Sequence, residues 1–286
     1  MKYLLSVLLA AVSLFSVPSP VNSVPPYQDP AVNQLTSKMK NGCAVLHPSD
    51  SSVEWDCVRL KKNESLEGRF GEYWRDVARF NRIDRLHAPY AFLKVPKRLP
   101  EIKDFSPMPR SYPDAADIPR FILIDLSEQF LGAYEYGRLA FSSPVTTGEA
   151  GRETPKGWFR ISAFSRNHSS SRYTIEKTDI PYPMNYALRF HVNRAGISYW
   201  VHGRDMPGYP ASHGCIGLYD EGMQKRYYNG PEDPVLDDAR RLYEWAVGDS
   251  LDDGDGPQGL KDGPVTLVTG EIPVTSATLA AGNRPF

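Results

Sequence analysis

Val201-His202-Gly203-Arg204, followed after Pro207-Gly208-Tyr209-Pro210 by Ala211-Ser212-His213-Gly214-Cys215-Ile216, sets one thiol beside two imidazoles in a turn-rich stretch. Near neutral pH a free cysteine is mostly protonated and only the thiolate attacks, so a reactive thiol needs a base within reach. If the residues around Cys215 form a strand, His213 two positions earlier shares its face, while His202 returns from an adjacent strand or loop. Spacing alone does not choose between them. Gly214 clears the space beside the sulfur and leaves backbone N–H groups free to face a developing oxyanion. A lone cysteine is more often an inert buried thiol. Zinc would take His202, His213 and Cys215, but no fourth ligand suggests itself and no C-x-x-C pair exists. His-Gly followed by Ser-His-Gly-Cys is a rarer combination, and it points to acyl transfer through Cys215.

These residues resemble the signature of the L,D-transpeptidase catalytic domain, the YkuD family. Phe121-Ile122-Leu123-Ile124-Asp125-Leu126-Ser127 with Gln129-Phe130-Leu131 resembles that domain's opening strands, and Pro144-Val145-Thr146-Thr147-Gly148 with Thr154-Pro155-Lys156-Gly157 resembles its next hairpin. The resemblance implies a mainly β, sandwich-like catalytic domain with a few helices, preceded by a small α-containing N-terminal region. It implies that Cys215 is the nucleophile and that His202, rather than His213, takes the proton. The Gly203 carbonyl would hold the base, the amides of His213, Gly214 and Cys215 would form the oxyanion hole, and Ser212 and His213 would shape the pocket. No metal or organic cofactor is implied. One position departs from the pattern: many members carry Arg two residues after the cysteine, where this chain has Gly217, so a carboxylate-binding fork is lost there or offset by Arg204, Arg189 or Lys156. The implied partners are peptidoglycan stem peptides, with D-alanine released and an amine or water as acceptor.

Met1-Lys2 and an apolar run from Tyr3 to Val17, then Pro18, Pro20 and Val21-Asn22-Ser23, read as a signal peptide over residues 1–23, too short for a convincing membrane span. Export to a periplasm or cell envelope follows from it. Of the three cysteines, Cys43 and Cys57 sit together in the N-terminal third and are expected to pair in an oxidising compartment, leaving Cys215 free. The 33 basic and 34 acidic residues nearly cancel, so nothing points to a nucleic-acid partner. Twenty-five prolines favour short strands and turns over long helices.

Residues 24–99 read as an N-terminal region with a helix over Glu72–Leu86, its apolar face made by Tyr73, Val77, Phe80 and Ile83 and its Arg75, Arg79 and Arg82 solvated. Leu66–Pro96 faintly resembles a LysM glycan-binding module, which would give this region a glycan contact. Residues 100–117, with prolines at 100, 107, 109 and 113, are expected to run extended as a linker. The catalytic domain is expected over 118–272 and a tail over 273–286. Its strands are read at Arg120–Leu126, Phe130–Tyr136, Leu139–Thr146, Gly157–Phe164, Tyr186–Asn193, Gly196–His202 and Val265–Thr269, placing His202 at a strand edge after an Asn193–Gly196 turn. An amphipathic helix is read over Asp233–Val247. Asp249–Gly256 loosely resembles a calcium loop but lacks the closing Glu and flanking helices, so it reads as a solvated loop.

Overall fold

The computed structural model describes residues 42–175, 177–248 and 256–273. The expected leader at 1–23, nearly all of the acidic loop and the tail beyond 273 lie outside them. The run Phe121-Ile122-Leu123-Ile124 is apolar at every position and forms β3 (Phe121–Asp125), a strand buried on both faces. It centres a five-stranded sheet in the order β5 (Arg138–Pro144), β4 (Phe130–Glu135), β3, β12 (Val265–Thr269), β6 (Gly157–Arg160). A second sheet runs β10 (Ile216–Tyr219), β9 (Ser198–Arg204), β8 (Pro181–Val192), β7 (Ala163–Thr174), β11 (Gln258–Gly259). Ile122, Ile124, Leu131 and Ala133 of the first sheet share one core with Phe164, Leu188, Val201, Ile216 and Leu218 of the second. The two sheets thus form a β-sandwich, and a helix at Asp238–Val247 closes the core with Ala239, Leu242, Tyr243 and Ala246.

The outer face of β3 explains why residues 100–117 do not run free as a linker. Phe121 and Leu123 point away from the inter-sheet core, and Met108, Ala115 and Tyr134 bury them in a second cluster. The segment makes 3-10 turns at Leu99–Ile102 and Pro113–Ala115 and bridges Ser111 to Arg138. Covering these apolar side chains favours docking of the segment, and its prolines reduce the conformational entropy lost in ordering it.

Gly157–Phe164, read as one strand, is two. The chain leaves the first sheet at Ile161, fully buried at the corner, and enters the second as β7. β7 continues through Arg166-Asn167-His168-Ser169-Ser170-Ser171-Arg172, too polar to read as a strand, because it pairs with β8 in a long hairpin with mostly exposed residues.

Upstream, β1 (Trp55–Arg59) and β2 (Phe92–Pro96) pair antiparallel around two short helices, α1 (Leu66–Phe70) and α2 (Trp74–Phe80). The single helix expected over Glu72–Leu86 is therefore shorter: a 3-10 turn at Gly71–Tyr73 precedes α2, and Arg82 turns the chain left-handed with φ 52° beyond it. Val77, Phe80 and Ile83 do fill the small core. Arg82 is not solvated; it is 1% exposed and bonded to Asp50 and Glu128.

Cys43 and Cys57 form a disulfide, which closes a loop of 14 residues' separation. Replacing both by serine is expected to cost about 3 kcal/mol in denaturant unfolding, the chain-entropy value for a loop of this length. Thiol titration of the unfolded, unreduced protein should find one group, Cys215. Three groups, or an unchanged unfolding midpoint in the double variant, would contradict the bridge.

This N-terminal module is clasped to the sandwich next to β9 and β10. The Asp84 amide donates to the Met206 carbonyl at 2.9 Å, while the Met206 amide and Gln224 Nε2 both donate to Asp84 Oδ2 at 2.6 Å. Tyr219 Oη donates to the Ile83 carbonyl at 3.0 Å.

Candidate active site

β9 and β10 run parallel, joined by the eleven-residue crossover 205–215 instead of a helix. The register pairs Val201 with Ile216 and His202 with Gly217. Alternation sends Val201, Ile216 and Leu218 into the core, so Trp200, His202 and Arg204 share the opposite face of β9. Cys215, one residue before β10, packs beside Trp200 with Ala163, Met184, Ala187 and Tyr182. His202 does not sit at a sheet edge: β9 lies between β8 and β10, and His202 is 4% exposed.

The His202 ring is fixed by its neighbour. Nδ1 lies 2.8 Å from the Gly203 carbonyl oxygen. A carbonyl only accepts, so Nδ1 carries the proton and Nε2 holds the lone pair. Burial, with the nearby Arg204 charge, draws the pKa of His202 down to about 3 against the pull of that carbonyl. Burial also pushes the Cys215 thiol up, opposed by a backbone hydrogen bond at Trp200 and by the charge of Arg204. Each shift favours the uncharged form, a neutral imidazole at His202 and a protonated thiol at Cys215.

The crossover is held by two strips of backbone. The Ser212 amide donates to the Thr147 carbonyl at 2.9 Å and the Glu149 amide donates to the Ser212 carbonyl at 2.9 Å, while Gly217 and Thr146 exchange both hydrogen bonds. Ser212 is itself buried. Gly214 has φ 107°, and a Cβ there would fall 2.7 Å from the Tyr199 ring, so only glycine fits. His213 points outward: its ring centroid lies 4.5 Å from that of Tyr173, with the two rings tilted, and its Nε2 lies 3.8 Å from Glu149. It does not share a strand face with Cys215, because β10 starts at Ile216.

Of the three cations named as offsets for Gly217, Lys156 pairs with Glu271 and Arg189 lies over the Trp200 ring at 5.7 Å. Arg204 lies against Gly217 itself. Sequence reading missed Asp205, buried and accepting the Tyr182 hydroxyl at 2.7 Å, and His168, stacked 4.3 Å from Trp200. The Arg204-Asp205 pair directly after His202-Gly203 was the available signal for the first; His168 sits in the polar run that hid β7. A separate cleft of about 840 Å³ between the module and the sandwich is lined by Arg79, Tyr219, Asp238 and Arg241, and neither Cys215 nor His202 lines it.

Comparison with known proteins bears on this arrangement. No curated protein matches the chain. Among solved structures, an L,D-transpeptidase from Stackebrandtia nassauensis is 21% identical, covering 72% of this chain and 71% of its own with a TM-score of 0.41. One from Enterococcus faecium is 17% identical over 53% of this chain and 50% of its own, with a TM-score of 0.34. L,D-transpeptidase 1 from Mycobacterium tuberculosis is 18% identical over 53% of this chain and 62% of its own, with a TM-score of 0.32. The chain thus spans about half to three-fifths of the length of the enterococcal and mycobacterial structures. The sequence model of the L,D-transpeptidase catalytic domain matches residues 119–266, more than half of the chain and all of β3 to β10. The chain belongs to the L,D-transpeptidase catalytic-domain family.

Proposed function

We propose that this protein is an exported, cysteine-dependent L,D-transpeptidase acting on peptidoglycan stem peptides. The observation that carries the reading is the parallel β9–β10 register, with His202 locked through Nδ1 on the face where Cys215 packs. As sulfur attacks the carbonyl on the L side of an L,D bond near the end of a tetrapeptide stem, the thiol proton passes to His202 Nε2. The amides of His213, Gly214 and Cys215 receive the oxyanion. Collapse returns the proton to the departing D-alanine amine and leaves a thioester. A second amine, or water in a carboxypeptidase variant of the reaction, loses a proton to His202 and attacks the thioester, and Cys215 leaves as a thiol. Two acyl transfers of this kind call for no metal or organic cofactor. The Cys43–Cys57 bond supports an oxidising compartment.

Incubation of the purified protein with disaccharide-tetrapeptide, followed by mass spectrometry, tests this. D-alanine and cross-linked dimer are expected; a noncatalytic cell-wall binder, the second reading motivated by Gly217, yields neither. The pH profile tests the proton inventory. His202 is neutral until about pH 3, so the acid limb of kcat/KM is expected below pH 5 rather than near the 6.5 of free imidazole. Stability has the same sign: between pH 6.5 and about 3 the unfolded chain binds a proton at His202 that the native state refuses, so acid weakens the fold across that window. An acid limb near pH 6.5 without loss of structure would overturn the neutral-pair reading.

A further inference from the structure

A Cβ on Gly217 would fall 2.1 Å from both Cγ and Cδ of Arg204. The stem of Arg204 thus occupies the notch that the absent side chain leaves, two residues beyond Cys215 in the chain. There its side chain is 13% exposed. Nε donates to the Asp205 carbonyl at 3.1 Å and Nη1 to the Ala211 carbonyl at 3.4 Å. The Asp205 carboxylate lies 3.6 Å from Nη2 and is itself held by Tyr182. One residue further on, Met206 is pinned by Asp84 of the N-terminal module. The positive charge of Arg204 bears on three groups: it adds to the burial that draws His202 and His213 down and opposes the burial that pushes the Cys215 thiol up. A mostly buried guanidinium beside a nucleophile is costly to desolvate, and its planar fork matches a carboxylate.

We propose that Arg204, seated over Gly217, reads the terminal carboxylate of the acyl donor, so that the site selects a leaving amino acid at the free end of a peptide over one within a chain. This rests on the reading of Cys215 as the group acylated by a peptide.

Two readouts keep the two ideas apart. The first needs no turnover: alkylation of Cys215 by iodoacetate and by iodoacetamide, measured by intact mass. Each reagent forms an S–C bond, expels iodide and releases the thiol proton, so any change in thiol ionisation cancels in their rate ratio, which then reads attraction of the reagent's carboxylate, and the charge-keeping variants Arg204→Lys and Gly217→Ala separate a seated contact from the mere presence of a cation. Arg204→Gln is expected to lower the iodoacetate to iodoacetamide ratio about tenfold, and Arg204→Lys by less. Gly217→Ala, which keeps the arginine but pushes its stem out of the notch, should lower the ratio as Arg204→Gln does. Arg240→Gln, at an exposed cation paired with Asp237 on the helix beginning at Asp238, should leave it unchanged. The second readout compares a tetrapeptide donor with its C-terminal amide. The wild-type kcat/KM preference for the free acid should collapse in Arg204→Gln mainly through KM. If the wild type releases D-alanine yet both the alkylation ratio and the acid preference survive in Arg204→Gln and Gly217→Ala, Arg204 has no such role. If the ratio falls as expected but the wild type releases no D-alanine, carboxylate reading stands and the transpeptidase reading fails.

Discussion

Cys215→Ala is expected to lose the covalent carbapenem adduct seen by intact mass and to lower D-alanine release about 10⁴-fold or more, the scale of removing a nucleophile whose partners act only through it. The fold should hardly register the change. Cys215 is half-buried at the end of the crossover and packs against a small cluster around Trp200 without belonging to the main core. Losing those contacts costs about 1 kcal/mol or less, so near-native unfolding with absent chemistry is the signature of a nucleophile rather than a packing residue. His202→Gln in the same assay should keep slow adduct formation, because the thiol remains while its proton acceptor is gone. An adduct of unchanged yield in Cys215→Ala would move the chemistry elsewhere in the chain.

The sandwich was legible because its core strands are apolar without interruption. Phe121-Ile122-Leu123-Ile124 states in four residues that both faces of β3 are buried, and the same run held the warning that residues 100–117 must cover its outer face. What failed to read was polar sequence made regular by pairing. β7 contains three consecutive serines and owes its conformation to β8, a long-range partner that local pattern does not report. The site divides in the same way. Cys215, His202 and Gly214 announce themselves by type and spacing, but whether His213 faces the thiol depends on where β10 begins, and one residue decides it. The protonation state was not legible at all. It arises from burial of His202 between β8 and β10, a property of the assembled sheet, and from burial of Cys215, which favours the protonated thiol.

The largest loss of stability is expected from Arg82→Met, about 3–5 kcal/mol in denaturant unfolding, at a residue that helical periodicity assigned to solvent. Arg82 lies just past α2 with its side chain wholly enclosed. Nε donates to the Glu128 carbonyl at 3.0 Å, Nη1 to Asp50 Oδ1 at 3.2 Å, and Nη2 to Glu128 Oε2 at 3.1 Å and Ser49 Oγ at 3.0 Å. These partners come from the disulfide-anchored segment ahead of β1 and from the turn between β3 and β4, so one guanidinium joins the N-terminal module to the sandwich. Methionine fills the stem but leaves two carboxylates facing each other. Lys94 is a poor substitute, since its ammonium is already engaged by Asp50 and the Val45 carbonyl and does not take over the Glu128 contacts. Arg82→Lys should recover only part of the loss, because one ammonium does not span Asp50, Ser49 and Glu128 together. Arg82→Gly separates backbone from charge: it relieves the left-handed φ of 52° yet should remain nearly as unstable as the methionine variant. If the glycine variant proved as stable as wild type, the buried charge network would have no net role in joining the module to the sandwich.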